Sequence, residues 1–134
     1  MTDLSEFLLA RISEDEAAAR TATPSPWVPT GQGWENSNGE GIIVAPYHEL
    51  DIRDEDAAHV TRWQPARVLA ECKAKRLMVE TYERLWNRAE EIRRAVGNEQ
   101  SASARLLYAG VEMVLPLLAL PYADHPDYRE EWRP

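Results

Sequence analysis

Any fold for this chain must first accommodate one long helix. Pro65 suits a first helical position, because its missing N–H is one that a helix start leaves unpaired anyway. From there a helical pattern runs to about Val96, and Gly97-Asn98 is an ordinary stop. Its apolar residues are Val68, Leu69, Cys72, Val79, Tyr82, Leu85, Trp86, Ala89, Ile92 and Val96. From Met78 through Tyr82, Leu85, Ala89 and Ile92 to Val96 the steps alternate four and three, a heptad-like stripe. Such a stripe needs covering, and the 134 residues have room for one domain, 1–134, to do it.

The other elements follow from the same logic. Residues 3–21 predict a helix, with Leu4, Phe7, Leu8 and Ile12 on one face and Ala17, Ala18 and Ala19 continuing it. Asp3 favours its start and Arg20 its end; Pro24 and Pro26 stop it. Residues 24–50 concentrate proline and glycine and predict a small β-hairpin or meander near 25–46. Short strands are expected near Trp27 and Trp34, with the best at 41–45, ended by Pro46. Asn36-Ser37-Asn38-Gly39 is turn chemistry. Residues 54–63 predict a short helix with Asp54 as its N-cap. Residues 101–120 predict a last helix, apolar nearly all round, which Pro116 kinks or ends near Glu112. Glu112 in that setting needs an arginine partner, an exposed strip, or a pocket that raises its pKa. A membrane span is the competing reading of 101–120, but it is short, lacks basic anchors and contains Glu112 and Pro116. The tail, 121–134, is docked or partly extended, with Asp127 capping a short turn. The predicted fold class is α+β, predominantly helical, with antiparallel helices at about 3–21, 54–63, 65–96 and 101–120.

Charge and cysteine content narrow the partners. The formal net charge is −8, which disfavours nucleic acid and anionic lipid. The charge is segregated: residues 61–98 hold nine bases and five acids, whereas residues 1–60 hold twelve acids and three bases. Either acidic segments pack near the basic helix, or that helix offers its charge to an acidic partner. The single cysteine, Cys72, excludes an intramolecular disulfide and suits a reducing, cytoplasmic compartment. On an apolar helical face it reads as packing rather than as a nucleophile. The opening MTDLSEFLLARISEDE has no basic n-region, so no signal peptide is expected.

Three segments, LSEFLLARISEDEAAAR, HVTRWQPARVLAECKAKR and LPLLALPYADHPDYREEWRP, resemble a family of short acidic proteins of actinobacteria and their phages, a domain of unknown function. The resemblance spans nearly the whole chain and is most specific at the ending. It implies a bacterial or phage cytoplasmic setting and carries no activity, cofactor or catalytic residue with it. Trp63 departs from the family's habit of a small polar residue there.

Few groups are candidates for chemistry. His48, Asp51, His59, Asp124 and His125 make a metal set only if tail and loop converge, and no HExxH or paired-histidine spacing supports it. No phosphate loop, nucleophile elbow or cofactor motif is present. The aromatic residues say more. Trp27, Trp34, Tyr47, Tyr122, Tyr128 and Trp132, with His125, Arg62 and Arg67 beside them, form either a satellite cluster or a groove for a protein partner or a flat anion. The expected function is that of a non-enzymatic accessory protein acting by protein binding. The alternatives are a nucleotide-like ligand binder and a metal-dependent hydrolase using His48, His59 and His125. The surplus of apolar helix surface predicts a homodimer.

Overall fold

The computed structural model describes residues 2–31, 33–44, 53–96, 106, 108 and 112–134. Its elements are helix α1 (Asp3–Thr21), strands β1 (Val28–Thr30), β2 (Gly33–Glu35) and β3 (Gly41–Val44), and helices α2 (Asp54–Arg62), α3 (Pro65–Val96) and α4 (Val114–Ala119). Two short 3-10 turns, Leu120–Tyr122 and Glu130–Trp132, follow. This is the predominantly helical α+β architecture that the patterning predicts. Contacts divide the chain into two units, Met1–Ser13 with Ala74–Pro134, and Glu14–Lys73.

In the first unit, α1 starts on a side-chain cap. Thr2 Oγ1 accepts the Ser5 backbone N–H at 3.1 Å, satisfying one of the unpaired donors of the first turn. Thr2 is therefore the cap, and Asp3 lies in the first turn, paired with Arg129 at 2.8 Å. Glu83 of α3 fixes this start, accepting from the Thr2 N–H at 3.3 Å and from the Ser5 hydroxyl. Phe7, Leu8 and Ile12 are buried, as are Val79, Tyr82 and Ala89 of α3 and Leu115 and Ala119 of α4. Each fully buried Leu or Ile here contributes roughly 1.5–3 kcal/mol. Glu112 is helical, Met113 a turn, and α4 begins at Val114. Pro116 thus falls in a first turn, where its missing N–H costs little, and the break comes where that proline predicts it. Leu106 and Tyr108 are helical; the remaining residues of 101–111, and the α3 stop expected at Gly97-Asn98, lie outside the described residues.

In the second unit, β1, β2 and β3 form an antiparallel meander in that order. Pro29 faces Trp34, and Trp34 faces Ile43. The β2–β3 turn is built by Asn36, whose Oδ1 accepts the N–H groups of Asn38 and Glu40, both at 3.0 Å. Gly39 closes it with φ of 76°, which glycine adopts without strain. Trp34 is 1 % exposed and donates its indole N–H to Thr61 Oγ1 at 3.2 Å, tying the sheet to α2. The cap of α2 is Arg53, without a side-chain bond, so Asp54 is the first helical residue rather than the N-cap. Its acidic first turn still favours the positive end of the helix dipole. Gln64 then holds the hairpin by its first residue. Its Oε1 accepts the Trp27 N–H at 2.8 Å, and its Nε2 donates to Trp27 O at 3.0 Å and Thr61 O at 2.6 Å. Ser25 Oγ accepts the Ala66 N–H at 3.1 Å, satisfying an unpaired donor at the start of α3.

Candidate protein-interaction surface

The aromatic residues singled out from the sequence fall into two groups, one in each unit. In the first unit the tail rings gather on Phe7. Ring centroids lie 6.5 Å (Tyr122), 5.8 Å (His125), 6.1 Å (Tyr128) and 5.0 Å (Trp132) from it, mostly edge to face. Arg11, itself buried, lies 5.4 Å from the Phe7 centroid. It donates to His125 Nδ1 at 2.8 Å and pairs with Asp127 at 3.8 Å. Lys75 donates to the Tyr122 hydroxyl at 3.2 Å. The buried Tyr128 hydroxyl has no hydrogen-bond partner among the described residues. These rings fasten the tail onto Phe7.

In the second unit, Trp34 is interior and cannot line a groove. Trp27 is half-buried, with its indole N–H on Thr23 O at 2.8 Å. Arg67 stacks at 4.1 Å on Trp63 and pairs with Glu71 at 2.9 Å, so its charge is already met. The exposed Arg62 borders a shallow groove with Pro29, Asp54 and Thr61. His59 is exposed with its ring 6.1 Å from that of Trp63. Tyr47, His48 and Asp51 lie outside the described residues, and Asp124 is exposed. Among the described residues no group of three or more His, Cys, Asp or Glu is placed to hold a metal ion. Cys72 is a buried free thiol.

An open apolar groove lies on α3. At 3.6 residues per turn, the side of the helix centred on Val79, Tyr82, Trp86 and Ala89 lies about a quarter-turn from that centred on Ala74, Met78, Thr81 and Leu85. The stripe read from the sequence therefore divides. Tyr82 and Ala89 are buried, whereas Met78 is 47 % and Leu85 38 % exposed. Leu77, on the edge of the same face, is 50 % exposed. Together with Ala74, Thr81, Tyr82 and Val114 these side chains line a groove of about 440 Å³. Arg84 borders it, donating to Thr81 Oγ1 at 2.8 Å. Burial, and then the charges of Glu83 and Glu112, push the Tyr82 phenol up, so it stays neutral in the groove wall. Glu112 itself is exposed, the plainest of the outcomes expected for it. The sequence puts Met78 and Leu85 in a stripe that needs covering, and Leu77 lies outside that stripe. The adjacent pair Leu77-Met78 was the available signal, because it widens the apolar arc beyond what one buried face needs.

Among the described residues, those lining this groove present methyl and thioether groups, one hydroxyl and one neutral phenol. What it can do is exclude water against another apolar surface. Among the described residues, no helix is long and apolar enough to cross a membrane. No curated protein and no solved structure matches the chain. A family model does match, over residues 1–134, and the chain belongs to that family of unknown function, DUF6221.

Proposed function

We propose that this protein is a non-enzymatic accessory protein that acts by binding protein, with the apolar face of α3 as its docking surface. One observation carries the reading: Leu77, Met78 and Leu85 lie contiguous and exposed around a groove of about 440 Å³. Single exposed hydrophobics are ordinary, but a contiguous apolar patch on a water-exposed helix favours a partner. The basic character of residues 61–98 within a chain of net charge −8 supports discrimination among partners by charge. The tail serves the fold in this reading, since its rings are engaged with Phe7. The family resemblance of the ending supports a source in actinobacteria or their phages, and the lone buried thiol supports a reducing cytoplasm.

The test compares wild-type and Leu85→Glu baits, both shown folded by circular dichroism. Each is offered cell extract and a second, differently tagged copy of the chain, and the retained polypeptides are quantified. The expected result is at least one polypeptide held by the wild type and lost by Leu85→Glu. Identical retained sets refute the reading.

A further inference from the structure

We propose that the occupant of the α3 face is a second copy of this chain, its α3 lying antiparallel across the first. This rests on the protein-binding reading above and names the partner. Along α3, Glu71, Met78 and Leu85 are spaced by sevens, and so are Ala74, Thr81 and Arg88. The two series interleave in steps of three and four, the spacing of the a and d positions in a coiled-coil seam. A two-fold axis between Val79 and Glu80 sets each member of one series against a member of the other. Met78 then meets the partner's Thr81, Ala74 meets the partner's Leu85, and Glu71 meets the partner's Arg88, each twice by symmetry. The inner layers place a large side chain against a small one, which lets the helices approach and interdigitate. Opposite charges close both ends.

The side chains of this seam are free to engage a copy. Ala74, Met78, Thr81 and Leu85 are all exposed. Glu71 and Arg88 keep 38 % and 66 % of their side-chain surface in solvent, and among the described residues each holds a same-helix ion pair at 2.9 Å, with Arg67 and Glu91 respectively. An unrelated helix would need a base opposite Glu71, an acid opposite Arg88, and matching small and large residues between them. α3 itself supplies all of these in register, and charge complementarity therefore selects a second copy over an unrelated acidic helix.

The test is sedimentation velocity on a dilution series of the full chain, with circular dichroism confirming that each variant folds. The wild type is expected to dimerise. Leu85→Glu, which places an unpaired carboxylate in the seam, is expected to weaken the dimer by about a hundredfold or more. Arg88→Glu and Glu71→Arg each turn two attractive pairs repulsive and are expected to weaken it by about tenfold, whereas the double charge swap restores it to within about threefold of wild type. That rescue is something a merely structural role for either residue would not give. The proposal is overturned by a wild type that is monomeric at its highest soluble concentration. It is equally overturned by a dimer indifferent to the single reversals, or by a double swap no better than the singles. A monomeric wild type whose captured partner is still lost in Leu85→Glu refutes the second copy and leaves the docking face standing. Loss of both results refutes both.

Discussion

Replacing Gln64 by alanine is the most direct probe of how the meander is held. The Gln64 amide makes three hydrogen bonds, at 2.8, 3.0 and 2.6 Å, two of them to the backbone N–H and C=O of Trp27. It thereby serves Trp27 as a neighbouring strand would. A neutral hydrogen bond contributes about 0.5–1.5 kcal/mol net, so three removed together cost about 3 kcal/mol. The site is only partly buried and water can reach some of the freed groups, which lowers the expected loss to about 2 kcal/mol. For a chain of this size that corresponds to a fall in Tm of roughly 5–10 °C. Urea unfolding followed by far-ultraviolet circular dichroism gives the free energy, and amide hydrogen exchange reports Trp27 directly. In wild type the Trp27 N–H is protected by Gln64 Oε1; in Gln64→Ala it exchanges faster. Gln64→Glu sharpens the test. It keeps the acceptor for Trp27 N–H but sets carboxylate oxygen against the carbonyls of Trp27 and Thr61. Its carboxyl pKa is then raised in the folded state, so stability is regained below the ordinary carboxylate value and lost as pH rises through the raised one. An alanine variant within about 0.5 kcal/mol of wild type, with Trp27 still protected, refutes the clamp.

The remaining expectations are briefer. Phe7→Ala removes the ring on which the tail gathers and is expected to cost about 3–4 kcal/mol, with earlier proteolytic cleavage after residue 120; unchanged cleavage would show that the tail is held otherwise. Tyr128→Phe removes a buried hydroxyl without a partner among the described residues and is expected to leave stability unchanged or raise it by up to about 1 kcal/mol, whereas a loss would reveal a bonded hydroxyl. Gly39→Ala meets no atom within 4 Å but forces φ of 76° on a Cβ-bearing residue. It is expected to cost about 1 kcal/mol in urea unfolding, and Gly39→Asn clearly less. The Tyr108 hydroxyl donates to Glu90 at 2.6 Å, and this bond pushes the phenol above its ordinary range. The bond's contribution is in place below the ordinary tyrosine value and lost as pH rises through the raised one. Glu90 is held low, first by Arg93 and then by Tyr108, so its contribution is in place above the ordinary carboxylate value and lost as pH falls through the lowered one. Tyrosinate absorbance should show a late-titrating residue that Glu90→Gln returns toward the ordinary range; no change on that substitution would refute the pairing.

Local rules in the sequence account for much of the fold. Pro65 marks the start of α3, the Asn36–Gly39 turn is legible from residues that tolerate or bond around positive φ, and Pro116 marks the break before α4. These succeed because each depends on a residue and its immediate neighbours. Side-chain bonds over longer spans were not legible. Nothing local marks Gln64 as the clamp of Trp27, thirty-seven residues away, or Glu83 as the anchor of Thr2 and Ser5. The displaced cap of α2, Arg53 for Asp54, differs by one residue, within the margin that propensity alone leaves. The aromatic residues are conspicuous in the sequence, but their spacing does not apportion them. Trp34 went inside because the sheet needed a covering ring over α2, and Tyr122, Tyr128 and Trp132 went to Phe7 because a proline-broken tail buries little backbone of its own.

What distinguishes the α3 face from exposed Val28 and Trp63 is contiguity. Val28 is exposed on an edge strand beside Pro29, which itself blocks ladder pairing, and Trp63 is exposed with a guanidinium over its ring. Each has a local reason that needs no second molecule. Leu77, Met78 and Leu85 have none: they lie along one helix, Met78 and Leu85 two turns apart, next to a side that is already buried, around a groove that also takes in Val114. Leaving that area in water sacrifices about 25 cal/mol for every Å² that a partner would cover. Polar replacements at the outer positions would remove that penalty without touching Val79, Tyr82 or Ala89, since the two sides of α3 are a quarter-turn apart. If the face has no partner, Leu77→Lys and Met78→Gln should therefore leave stability unchanged and only raise solubility. If it has one, the same pair of substitutions should leave the isolated chain folded and abolish association. The two outcomes separate on sedimentation where the partner is a second copy and on capture where it is another protein, and the fold itself is not at stake in either.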